Sequence, residues 1–183
     1  MVQTARPSAD SGTDGNWLDQ DDGSSLYAAI DDATADGATT HIYSTDNGSN
    51  DLCIVDLASI SAPGSGSVYI KYTALSEDNS GMGAPGVKFQ LFEGTDARGA
   101  AHTNNSLGSS YPGSPASSSA IDVSSVSNWG SLKLRITMLT NSGSGFDILK
   151  VTQAYLETPD ASGGGGSTPI AAIAMNTYRQ MRG

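Results

Sequence analysis

Hydrophobic residues in this chain recur at every second position in short runs. In Val87-Lys-Phe-Gln-Leu-Phe-Glu93, Val87, Phe89 and Leu91 face one way while Lys88 and Gln90 face the other. In Leu132-Lys-Leu-Arg-Ile-Thr-Met-Leu139, Leu132, Leu134, Ile136 and Met138 oppose Lys133, Arg135 and Thr137. Val68-Tyr-Ile-Lys-Tyr-Thr-Ala-Leu75 follows the same period. A period of two marks half-buried antiparallel strands, one face on a core and the other toward water. The pattern predicts strands over 41–44, 52–57, 67–75, 87–93, 97–103, 120–123, 132–139 and 147–157. Turn formers such as Asp46-Asn-Gly48, Pro63-Gly64, Asn79-Ser-Gly81 and Asn141-Ser-Gly143 bound them. About eight strands with no long helix between them give an all-β expectation, an antiparallel two-layer β-sandwich of jelly-roll type.

The body of the chain has one helical pattern. Over residues 24–31, Leu26, Tyr27 and Ile30 share a face, and Ser24 or Ser25 is placed to cap a short helix. The Ser-, Pro- and Gly-rich stretch 106–119 is long enough for a functional loop or for a crossover.

The pattern changes after residue 158. Residues 1–158 read as the sandwich domain, 159–167 as a Gly/Ser-rich linker containing Ser162-Gly-Gly-Gly-Gly-Ser167, and 168–183 as an apolar and basic arm. Glycines bury no side chain, so the arm is expected to anchor on a partner or on another copy of the chain. Thr168-Pro169 reads as a helix start, giving a helix of roughly fourteen residues that is marginal alone in water; an extended arm is the alternative. The expected partner-binding residues are Ile170, Ile173, Met175, Tyr178 and Met181 for burial, with Arg179 and Arg182 for orientation.

At 183 residues the chain suits one domain with appendages. Its formal net charge is −10, and residues 1–60 hold eleven Asp and no Glu against Arg6 alone. An excess of this sign repels nucleic acid and does not favour anionic membranes, so neither is an expected partner. Cys53 is the one cysteine, excluding an intrachain disulfide and a thiolate metal cluster, and it reads as a small core residue. Residues 1–8 show no apolar signal segment, and no run approaches the roughly 18 apolar residues of a membrane span. Production and assembly in a cytoplasm are expected.

Motifs for chemistry are sparse. Gly81-Met-Gly-Ala-Pro-Gly86 matches the letters of a dinucleotide fingerprint, but it runs through Pro85 into a strand instead of a helix, so it reads as a hairpin loop. His41 and His102 are the only bases for a Ser-His arrangement, and no Gly-x-Ser-x-Gly elbow is present. Asp31-Asp32 and Glu77-Asp78 are adjacent, so their side chains diverge. The Asp-rich stretch 10–23 suits Ca²⁺ in ligand type but fails the EF-hand spacing; a solvated acidic loop is the alternative. Trp17, Trp129, Tyr69, Tyr72 and Tyr111 would form a sugar-stacking platform if they clustered, or otherwise pack in the core. No nucleophile, base and orienting group can be named together, so an enzyme is not expected, and no cofactor is implied.

Several phrases taken in order carry a resemblance: Arg6-Pro-Ser-Ala-Asp10, Gly15-Asn-Trp17, Ser25-Leu-Tyr-Ala-Ala-Ile-Asp-Asp-Ala-Thr-Ala-Asp-Gly37, Ser131-Leu-Lys-Leu-Arg-Ile-Thr137 and Val151-Thr-Gln-Ala-Tyr-Leu-Glu157. Over residues 6–158 the chain resembles the β-sandwich structural proteins of tailed bacteriophages. The resemblance implies a non-enzymatic virion component, a capsid decoration or minor capsid protein. It would associate with other virion proteins and with its own copies, attached through the C-terminal arm. A tail or fibre component touching the host surface, or a carbohydrate-binding module, is the alternative.

Overall fold

The computed structural model describes residues 2–13, 16–20, 25–34, 39–45, 50–81, 83–140 and 147–161. The linker from Ser162 and the whole arm, including Ile170, Ile173, Met175, Tyr178, Arg179, Met181 and Arg182, lie outside the described residues.

Among the described residues eleven strands form two antiparallel sheets: β1 (Val2–Ala5), β2 (Pro7–Thr13), β3 (Leu18–Asp19), β4 (Ile42–Thr45), β5 (Leu52–Leu57), β6 (Tyr69–Glu77), β7 (Gly86–Glu93), β8 (Asp96–Asn104), β9 (Ala116–Ser117), β10 (Leu132–Leu139) and β11 (Ile148–Pro159). The six-stranded sheet has the order β3-β4-β11-β6-β9, with β1 also paired to β11; the five-stranded sheet runs β2-β5-β10-β7-β8. From β4 to β7 and from β8 to β11 each successive strand changes sheet, so one alternating sequence supplies both layers of the core in jelly-roll fashion.

The period-two residues meet between the layers. Leu132, Leu134, Ile136 and Met138 of β10 pack with Cys53 and Val55 of β5, with Val87, Phe89 and Leu91 of β7, and with Ile70 and Tyr72 of β6. Fully burying each large side chain of this set contributes about 1.5–3 kcal/mol before ordering costs. Cys53 is fully buried, as its flanking residues predict.

β11 is too long to keep its alternation without help. Its register against β6 shifts between Val151 and Gln153, so Thr152 is an extra residue. That bulge returns Ala154 and Leu156 to the core side already used by Leu149 and Val151. Thr152 Oγ1 donates to Thr40 O at 2.7 Å, and Ala154 N–H donates to Ile30 O at 3.2 Å, so the chain before β4 covers the bulge.

Several expectations need correction. The helix expected over 24–31 is a single 3-10 turn, Tyr27–Ala29, and no Ser side chain caps it. The Asp10 carboxylate accepts from the N–H groups of Leu26 and Tyr27 at 3.0 and 2.7 Å. The strand expected over 120–123 is a lone bridge between Val68 and Ile121. The glycine-rich segment before Gly86 is an arch joining the two sheets, not a hairpin, because β6 and β7 do not pair. The Asp78 carboxylate holds it by accepting from Gly81 N–H at 2.7 Å and Gly83 N–H at 3.1 Å. The 106–119 stretch is a crossover that carries β9.

Candidate functional site

The aromatic platform does not assemble from the residues named for it. Trp17 is 3% exposed and Tyr72 2%, both within the core cluster. Trp129 is half-buried against that cluster, and Tyr111 is half-buried in the crossover. Tyr69 alone stands on an outer face, that of the six-stranded sheet, where Tyr155 joins it. There the charges are already matched: Lys71 lies 3.4 Å from Glu157 and over the Tyr69 ring, while Arg6 lies over the Tyr155 ring and donates to the carbonyls of Asp31, Asp32 and Ala33.

The outer face of the five-stranded sheet differs. Strand register places Asp56, Lys133 and Phe92 in one row, Ile54, Arg135 and Gln90 in the next, and Leu52, Thr137 and Lys88 in the third. Neighbouring strands stand about 4.8 Å apart, so these nine side chains form a compact grid. Residues of the flanking strands opposite it are small: Ala9 and Gly12 on β2, Ala97 and Thr103 on β8. Within the grid Thr137 and Phe92 are themselves buried, while Lys88, Gln90, Lys133 and Arg135 are half-buried.

Phe92 is 8% exposed yet lies outside the core cluster. Its cover is Arg135, whose guanidinium carbon sits 4.0 Å from the ring centroid. A cation over a ring face is attracted by the ring quadrupole and by dispersion. Arg135 Nε is buried and has no hydrogen-bond partner among the described residues.

Other described side-chain cations are matched: Lys71 with Glu157, Arg98 with Glu93, Lys133 with Asp56 at 3.2 Å, Lys150 with Glu77 at 2.6 Å, and Arg6 with carbonyls. Among the described residues, Arg135 and Lys88 have neither a carboxylate within 4.0 Å nor a hydrogen-bond partner. They stand one row apart on adjacent strands of the same face.

Gln90 keeps the β8 edge of the grid in shape. Between the pairs Phe89–His102 and Leu91–Arg98, β8 holds extra residues. The Gln90 amide donates to the carbonyls of Arg98 and Gly99 at 3.0 and 3.1 Å, satisfying groups the ladder leaves unpaired. At the β2 end, a depression of about 400 Å³ lined by Ser8, Ala9, Asp56, Gly130 and Lys133 opens beside the grid.

The remaining sequence candidates have other partners. His102 Nε2 lies 3.0 Å from Tyr72 Oη, and burial lowers its pKa from the ordinary value of 6.5. His41 packs at 6.0 Å from the Tyr43 ring. Burial, then the neighbouring Asp32 charge, raises the Asp31 pKa. Glu77 and Asp78 diverge as expected, one to Lys150 and the other to the glycine-rich arch. Part of the acidic stretch 10–23 lies outside the described residues, and Asp10 already holds the 3-10 turn. No helix among the described residues is long and apolar enough to cross a membrane.

The grid was missed because its pattern reads as the solvent side of ordinary strands. The alternation placed Lys88, Gln90, Lys133, Arg135 and Thr137 on outer faces, but not on one shared face beside Phe92.

No family model and no curated protein matches this chain. Among solved structures it is similar to the module TmCBM61 in complex with β-1,4-galactotriose, at 9% identity and TM-score 0.45, over 85% of this chain and 86% of that one. It is also similar to the CBM36-1 domain of a multidomain xylanase from the hindgut metagenome of Trinervitermes trinervoides, at 12% identity and TM-score 0.39, over 89% and 100%. A third is an apo-form cyclase from Fischerella sp., at 10% identity and TM-score 0.32, over 86% and 90%.

Proposed function

We propose that this β-sandwich is a non-catalytic carbohydrate-binding domain whose ligand lies along the outer face of the five-stranded sheet. The observation that carries the reading is Arg135, a planar donor whose guanidinium carbon lies 4.0 Å over the Phe92 ring, with its buried Nε without a hydrogen-bond partner among the described residues. A flat guanidinium offers paired donors at the spacing of neighbouring sugar hydroxyls. Lys88, Lys133 and Asp56 stand around it as further donors and acceptors at strand spacing. The exposed part of the face is mainly polar, whereas the core of a protein interface is mainly apolar and aromatic. Retention on immobilised polysaccharides and binding on a glycan array test the reading. At least one polysaccharide should retain the wild-type protein, and Arg135→Ala should weaken that retention tenfold or more. A folded protein that binds no glycan overturns it.

A second reading is assembly into a virion through residues 168–183, favoured by the tethered apolar and basic sequence and by the resemblance over residues 6–158. Removing 162–183 separates the two. Glycan retention should survive the deletion, whereas an attachment role requires that incorporation into particles be lost.

A further inference from the structure

The cations of the grid set the class of sugar. In a chain of net charge −10, Arg135 and Lys88 are neighbours on one face with no carboxylate partner among the described residues, whereas Arg6, which also lacks one, is taken up by the carbonyls of Asp31, Asp32 and Ala33. Cations in acid-rich chains find carboxylates readily, as Lys71, Arg98, Lys133 and Lys150 do here. On the grid the one acid is Asp56, and Lys133 already pairs with it. The outer-face neighbours of Arg135 on β5 and β7 are Ile54 and Gln90, and those of Thr137 are Leu52 and Lys88. No acid from a flanking strand faces this pair, since Ala97 and Thr103 of β8 and Gly12 of β2 are uncharged. A net positive patch on a negative molecule is complementary to an anion, and a planar guanidinium binds a carboxylate through two parallel N–H···O contacts.

We infer that the grid selects polysaccharides bearing carboxylates, that is, uronate residues, with Arg135 taking the carboxylate and Lys88 supplying the second positive charge. The inference rests on the glycan-binding reading above and narrows it to acidic sugars. The half-buried Ile54 and Leu52 border the pair on the β5 side and exclude water from one flank of the contact. Such exclusion strengthens a charged hydrogen bond.

The test is calorimetry of the full-length protein with polygalacturonate, alginate and hyaluronate, each beside its carboxyl-reduced neutral form. At least one acidic polymer should bind ten times or more tighter than its reduced counterpart, and the affinity should fall as salt is raised from 50 to 300 mM. Arg135→Gln should lose about tenfold and Lys88→Gln a smaller factor. Lys71→Gln, on the other sheet, should leave binding unchanged. Lys88 is half-buried on the outer face and has no side-chain partner among the described residues, so changing it breaks no contact, and it keeps the test valid should Arg135→Gln fail to fold. Equal binding of acidic and reduced polymers overturns the acidic selectivity while leaving glycan binding standing. Binding of neither form, with no glycan retained on the array, overturns both.

Discussion

The phenol oxygen of Tyr72, on the six-stranded sheet, lies 3.0 Å from Nε2 of His102 on the edge strand of the five-stranded sheet. Asn104 Nδ2 donates to the same oxygen at 3.0 Å, so the hydroxyl bonds two side chains of β8. The Tyr72 ring also packs 4.5 Å from that of Phe89. One side chain therefore ties the two layers together by both apolar and polar contact.

Tyr72→Phe keeps the ring and removes the hydroxyl, leaving two part-buried groups without their partner. The expected loss is about 1–3 kcal/mol, read as a lower urea midpoint with an unchanged slope. An unaltered midpoint would show that water replaces the hydroxyl at no cost.

The same contact gives a pH dependence. Burial depresses the pKa of folded His102 below 6.5. Above pH 6.5 the ring is neutral in both states, and its contribution is complete. As pH falls below 6.5 the unfolded chain takes up the proton first, so stability declines until folded His102 titrates as well. Urea midpoints measured between pH 7.5 and 5.5 should fall in the wild type and fall less in His102→Gln.

Glu93 controls the acid side. Its carboxylate accepts from Ser127 Oγ at 2.5 Å, Ser127 N–H at 3.1 Å, Asn128 N–H at 2.7 Å and Arg98 Nε at 2.9 Å. These bonds, led by the Ser127 hydroxyl, hold its pKa down to about 2. The associated stability is present above about pH 4.5 and is lost as pH falls from there toward 2. Glu93→Gln should flatten that stretch of an acid titration followed by circular dichroism. An identical titration curve for the variant would remove Glu93 from the account.

Gly99 has a φ of +64° where β8 bulges. A Cβ there would stand 2.4 Å from Ile121 Cγ2 and 2.8 Å from Asp122 O. Gly99→Ala meets both backbone strain and collision, at an expected cost of about 2–4 kcal/mol. Thermal unfolding tests it, and a wild-type midpoint would contradict the crowding.

Removing residues 162–183 should leave the melting midpoint within a degree or two, because a Gly/Ser-rich tether separates the arm from the sandwich domain. A large drop would mean that the arm packs against its own sandwich, contrary to an anchoring role.

The central strands were legible because burial on one face and water on the other impose a period of two. Leu132–Leu139 and Leu52–Leu57 fall where the alternation puts them. Where a strand lacks that contrast, the signal vanishes. Pro7–Thr13 offers Pro, Ser, Ala, Asp, Ser, Gly and Thr, and it is a strand because β5 presents an unpaired edge to it. Ala116–Ser117 is likewise a strand only by pairing with β6.

The sequence alone therefore determined the all-β class, the core residues and the acidic character, since these follow from the order of apolar and charged side chains. It also set which face of each strand meets water. Tertiary structure alone decided which strands share a sheet, and so which outward residues become neighbours. Arg135, Phe92 and Lys88 are scattered in the chain and adjacent in the grid because hydrogen-bond register between β7 and β10 brings them together. That register is set by how the two layers pack, a long-range property that no local pattern encodes.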